Sequence, residues 1–172
     1  DFEDEIKNAL RAMFNATAAN FFPDTRMLAE HALPELGDWK GDHYKSSDEA
    51  NVAGWLRYLY VREDGDCLLV GQGVPRDWLR AGKRTSVRNA ATHFGRMSII
   101  YEAGQEEITA ELEGPRRNPP ACIRLRLRAP SDREICDIRV NGEAWPHCDG
   151  EWVILPGDIG KATVTAKLRP RP

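Results

Sequence analysis

No apolar run in this chain approaches the ~20 residues needed to cross a bilayer, and no basic stripe runs along it. The net charge is -3 and the isoelectric point about 5.9, far from the dense cationic footprint of a nucleic-acid binder. Neither a membrane nor a nucleic acid is therefore an expected partner. Residues 1–60 hold eleven acids against six bases, and residues 61–172 sixteen against eighteen. That excess is too small to change the reading. Cysteine is also sparse, with only Cys67, Cys122, Cys136 and Cys148. No two share a C-x-x-C spacing, so neither a zinc knuckle nor a thioredoxin-type motif is supported. They read as free thiols, with one disulfide as the alternative. His31, His43, His93 and His147 are scattered likewise. No metal, and no cofactor of any kind, is expected.

The 172 residues suit one domain with a helical extension. Phe2, Ile6, Ala9, Leu10, Met13 and Phe14 recur at helical spacing among polar residues, which predicts an amphipathic helix. It ends near Asn20, since Pro23 cannot continue it. Its stripe is too wide to leave in water, so it is expected to dock on the second helix or on another chain. Self-association through this face is the expected substitute for a missing neighbour. Asn15-Ala16-Thr17 matches a glycosylation sequon, but on a helix the match is chance. Residues 21–47 hold Pro23, Pro34, Gly37 and Gly41 without a sustained period and read as a long loop. Trp39, His43 and Tyr44 in it suit a surface facing sugar, or one packed on a neighbouring domain.

Ser46 and Glu49 have capping-box spacing at the start of a second helix. Val52, Leu56 and Leu59 should form its buried stripe, with Trp55 and Tyr58 beside it. Asp48 and Glu49 are adjacent, so they point about 100° apart and do not converge on one substrate atom. Their charge suits the positive end of the helix dipole.

After Tyr60 the period changes from 3.6 to 2. Glu63-Asp64-Gly65-Asp66 reads as a turn. Strands are predicted over 67–71, 84–89, 96–102, 107–113, 122–128, 134–140, 151–155 and 161–168, with Asn141-Gly142 as a hairpin signal. About eight short strands without intervening helices describe an antiparallel β-sandwich. The fold is thus mainly β, with two α-helices and a long loop over 1–60 and the sandwich over 61–172. In strand 122–128, Ile123, Leu125 and Leu127 face the core and Arg124, Arg126 and Arg128 the other side. That arginine row is either an interface with acidic groups or a solvated face whose charge guards an edge.

Several motifs carry a resemblance to a known family. Gly73-Val74-Pro75-Arg76-Asp77-Trp78-Leu79 leads to Gly82-Lys83 and to Asn89-Ala90-Ala91-Thr92-His93-Phe94-Gly95. Leu125-Arg126-Leu127-Arg128-Ala129-Pro130 and Ile138-Arg139-Val140-Asn141-Gly142 follow. Across about residues 46–165 this pattern resembles the C-terminal region of bacterial six-hairpin glycosidases, relatives of the α-L-rhamnosidases. Those enzymes carry catalytic carboxylates in an (α/α)₆ barrel followed by a β-sandwich. The resemblance implies that the partner is a helical catalytic domain or partner chain; location stays open, a soluble bacterial protein being either cytoplasmic or exported with its signal removed. The barrel needs twelve helices, about 150 helical residues at the mean helix length. Two helices cannot form it.

Three functions compete. The leading one is a non-catalytic C-terminal β-sandwich region of a glycoside hydrolase, inactive alone and supporting a helical catalytic domain. The second is an autonomous carbohydrate-binding module that uses Trp39, Trp78, Trp145 or Trp152 as stacking platforms. The third is a small complete hydrolase using Asp42 and Glu49. No catalytic residue is assigned. The candidate ligand-binding residues are Trp39, His43, Glu49, Arg76 and Trp78. Sugar and linkage have no signature in the chain.

Overall fold

The computed structural model describes residues 2–23, 26–28 and 46–171. They divide into two compact units, Asp1–Leu56 and Arg57–Pro172.

In the first unit, α1 spans Phe2–Asn20. Ile6 is buried while Phe14 is 45% exposed, so only part of the predicted stripe is covered. The Thr17 hydroxyl donates back to the Met13 carbonyl at 2.8 Å, a local bond that helices tolerate. Two short strands follow, β1 (Phe21–Phe22) and β2 (Met27–Leu28), paired antiparallel. Arg26, at φ 59°, closes this hairpin by donating its N–H to the Phe22 carbonyl at 2.7 Å. Helix α2 spans Ser46–Tyr60, with Asp48 and Glu49 in its first turn. Leu59 is buried, but Leu56 is 39% exposed and Trp55 40%. The predicted Val52–Leu56–Leu59 stripe therefore holds only at its C-terminal end, where the helix meets the strands.

The second unit is a β-sandwich. Strand β3 (Val61–Asp64) starts directly after α2, followed by β4 (Cys67–Val70), β5 (Arg84–Thr92), β6 (Gly95–Ala103), β7 (Glu107–Glu113) and β8 (Cys122–Arg126). The rest are β9 (Arg133–Val140), β10 (Glu143–Ala144), β11 (Cys148–Asp149), β12 (Trp152–Pro156) and β13 (Lys161–Pro170). All eight predicted strands are present, with β3 and the two-residue strands β10 and β11 in addition. The missed strand β3 lies where the acidic run reads as turn, although only Gly65 and Asp66 make the turn. One sheet has the order β10-β9-β13-β7-β6-β5 and the other β11-β12-β8-β4-β3. Pairing is antiparallel throughout except for β4 and β8, which run parallel.

Alternation decides which faces meet. Met97, Ile99 and Tyr101 of β6, Ile108 and Leu112 of β7, and Val164 of β13 are buried. So are Leu68, Val70, Ile123, Leu125, Val153 and Leu155 of the other sheet. The sheets meet where the Tyr101 hydroxyl donates to the Arg126 carbonyl at 3.3 Å. Burial raises the Tyr101 pKa well beyond the usual phenol range, so the group remains a donor. Gly71 passes this point at φ 73°, and a Cβ there would sit 2.0 Å from the Tyr101 hydroxyl oxygen. Only glycine fits both constraints. The Asn141-Gly142 turn has both residues at positive φ, 52° and 86°, as the hairpin signal requires. In β9 the pairing slips as Ile138 and Cys136 oppose Ala166 and Lys167. Asp137, at φ 43°, is the bulged residue.

The expectation of free thiols throughout is overturned, because Cys67 and Cys122 form a disulfide. They face each other in the parallel β4–β8 register with Cα atoms 4.9 Å apart, within bridging reach. Cys136 and Cys148 are free.

Candidate functional site

The crossover from β4 to β5, residues 71–83, organises a polar region of the sandwich. It begins by closing the end of α2: the Gly71 N–H donates to the Tyr60 carbonyl at 2.7 Å and the Gly73 N–H to the Leu59 carbonyl at 3.0 Å. These are carbonyls that a helix end leaves without internal donors. Val74 and Leu79 are fully buried and pin the crossover. Pro75, at φ −56°, leads into one 3₁₀ turn over Arg76–Leu79, where its fixed φ is favourable.

Beside this turn lies the arginine row, Arg124 and Arg126 on β8 and Arg128 two residues past its end, since the strand stops at Arg126 rather than at the expected 128. Arg126 is 6% exposed and Arg128 2%, so a solvated face is overturned for both. Arg128 donates Nη1 to the Val74 carbonyl at 3.1 Å, and Arg126 reaches the Gln72 carbonyl at 3.5 Å. Arg76 grips Glu151 with both terminal nitrogens, at 2.5 and 3.0 Å, and also donates to the Ala129 carbonyl at 2.6 Å. Arg126 adds a second cation 3.4 Å from Glu151. The planar guanidinium suits such two-point contact with a carboxylate. Arg124 and Arg126 also lie over the Trp152 ring, 5.1 and 5.2 Å from its centroid, within cation–π range. The row thus binds the main chain of the crossover and one carboxylate.

Of the five candidate ligand-binding residues, Trp39 and His43 lie outside the described residues, as does Asp42 of the small-hydrolase reading. Glu49 is half-buried on α2 and accepts the Leu28 N–H at 3.4 Å. Arg76 is committed to the clamp just described, so it positions the turn rather than facing a ligand. Asp77, adjacent to it, pairs instead with Arg80 at 2.7 Å. Trp78 is half-buried at the outer side of the turn. Its ring centroid is 6.3 Å from that of Tyr60, with planes tilted 36°. Tyr60 is held by a hydrogen bond to the Thr85 hydroxyl, and burial raises its pKa more than that bond lowers it.

Tyr60, Trp78, Thr85, Arg80, Lys83 and Arg84 line an open groove of about 640 Å³, with Asp77 at its rim. Arg84 is held by Glu102 at 2.6 Å, and Arg80 also meets Asp132 at 3.6 Å. The other candidate platforms differ. Trp152 is covered by the two guanidinium groups. Trp145 packs edge-on to His147 at 5.5 Å and donates its indole N–H to the Ile154 carbonyl at 3.1 Å. Sequence reasoning missed Tyr60 and Lys83 as groove residues. The shift from helix to strand periodicity at Tyr60 is the only local sign of its position.

Among the described residues no three His, Cys, Asp or Glu side chains gather to hold a metal, and no helix is long and apolar enough to cross a membrane. No protein-family model matches the chain, and no curated protein matches it.

Proposed function

We propose that this chain is a non-catalytic β-sandwich region of a bacterial glycoside hydrolase that supports and packs on a helical catalytic domain. One observation carries the reading. Helix α2 passes into β3 without an intervening residue, and the crossover caps the helix end through Gly71 and Gly73. Arg57 on the same last turn donates to the Ala91 carbonyl of β5. A sandwich that holds the end of a helix this firmly can transmit position to a helical domain. A flexible linker would give no such coupling.

Other features support the same role. The first unit leaves Phe14, Phe21, Trp55 and Leu56 each more than a third exposed, apolar surface of the kind a helical neighbour covers. The carboxylates beside the crossover are engaged by cations, Glu151 by Arg76 and Asp77 by Arg80. Glycoside hydrolysis needs two carboxylates about 5–9.5 Å apart across a sugar cleft. Asp48 and Glu49 diverge on their helix, which suits a role in α2 rather than in hydrolysis. The Cys67–Cys122 bridge favours export to an oxidising compartment over the cytoplasm.

The test is an assay of the purified chain against a panel of aryl glycosides, rhamnosides included. The expected outcome is no turnover above the background of buffer. Robust turnover abolished by Glu49→Gln would overturn the proposal and favour a small complete hydrolase.

A further inference from the structure

We propose that the Trp78 groove is a binding subsite for a sugar residue that carries a carboxylate, a uronic acid unit of an oligosaccharide. This goes beyond the supporting role, which needs no ligand, and the two fail separately.

A pyranose ring offers one face of C–H groups and an edge of hydroxyls. It is recognised by an aromatic surface beside a few fixed polar groups. Trp78 has the first property. Its ring is half-buried on a turn anchored from below by Val74, Leu79 and the Arg76 clamp. A platform held in this way loses little entropy when a ligand arrives. Among the described residues its indole N–H has no hydrogen-bond partner, in contrast with Trp145, so a donor remains for a sugar hydroxyl. Tyr60 sets the inner wall, kept in place by Thr85.

The rim supplies the charge. Three cations, Arg80, Lys83 and Arg84, line the groove with one acid, Asp77, and two further acids pair with the arginines, Asp132 with Arg80 and Glu102 with Arg84. Arg80 and Arg84 are each oriented by an acid through Nε, at 2.7 and 2.6 Å. Lys83 is exposed and makes no ion pair among the described residues. Its backbone is nonetheless fixed: its N–H donates to the Arg80 carbonyl and its carbonyl accepts the Ala103 N–H, both at 3.0 Å. An exposed ammonium without an ion pair among the described residues, on a fixed main chain beside an aromatic floor, fits a sugar carboxylate better than a neutral sugar.

The experiment titrates the full chain with a trisaccharide of uronic acid units and with its neutral counterpart. It follows the indole N–H resonance of Trp78 by NMR. The uronate is expected to shift that resonance and to bind at least about fivefold more tightly than the neutral sugar. Lys83→Gln should reduce the uronate to the level of the neutral sugar. Trp78→Ala should lose both by about tenfold or more, and Trp78→Phe, which keeps an aromatic face, should retain part of each. Equal affinity for the two sugars, no effect of Lys83→Gln, or no shift at Trp78 with either sugar would overturn the proposal.

Discussion

Glu151 shows how one residue can organise a surface. It receives two arginines from different elements, Arg76 from the crossover and Arg126 from β8, and is itself 16% exposed. Such a pair adds little net stability when intact, but removing one partner leaves charge behind in a poorly solvated place. Glu151→Gln keeps the shape and removes the charge. It should cost on the order of 2–4 kcal/mol in chemical denaturation and loosen the 3₁₀ turn that carries Trp78. A change below about 0.5 kcal/mol would show that the clamp is not structural. The alternation that puts Arg124, Arg126 and Arg128 on one side is plain in the sequence. What covers them is not, because the Val74 and Gln72 carbonyls lie some fifty residues earlier in the chain and Glu151 lies in a later segment. Arg76 next to Asp77 invites a local pair, but on the 3₁₀ turn Asp77 meets Arg80, three residues on, and Arg76 turns inward.

At the scale of elements the sequence is far more informative. Period 2 and the turn residues locate eight of the sandwich strands, and the helix bounds follow from apolar spacing, the capping residues and Pro23. These signals are local, and local geometry decides them. The misses are those that pairing decides. Val61–Asp64 carries two acids and one base and is exposed over three of its four residues, yet becomes β3 because it pairs with β4. The disulfide has no spacing signature either. Cys67 and Cys122 are separated by 55 residues, and only the parallel register of β4 and β8 brings them together. A bridge across a loop of that length should contribute about 2–4 kcal/mol. Thiol titration of the denatured, unreduced protein should count two reactive groups, Cys136 and Cys148. Reduction should raise the count to four and lower the unfolding midpoint. Four reactive groups without reductant would remove the bridge from the account.

Across the whole molecule, the sandwich has a buried core, and the helical unit leaves large apolar side chains exposed among the described residues. Ile123, Leu125 and Val164 are fully buried within the sandwich, whereas Phe14, Phe21, Trp55 and Leu56 remain 39–45% exposed in the helical unit. An amphipathic helix of this length is held mainly by burial of its apolar face, and under the supporting role proposed above this surface is an interface. The chain by itself should then use the same surface for a second copy. Light scattering of the intact chain and of the Phe14→Glu/Trp55→Glu variant measures this directly. The supporting role predicts an oligomer for the intact chain and a folded monomer for the variant, with the sandwich's unfolding transition unchanged. A monomer in both, with equal stability, would contradict it.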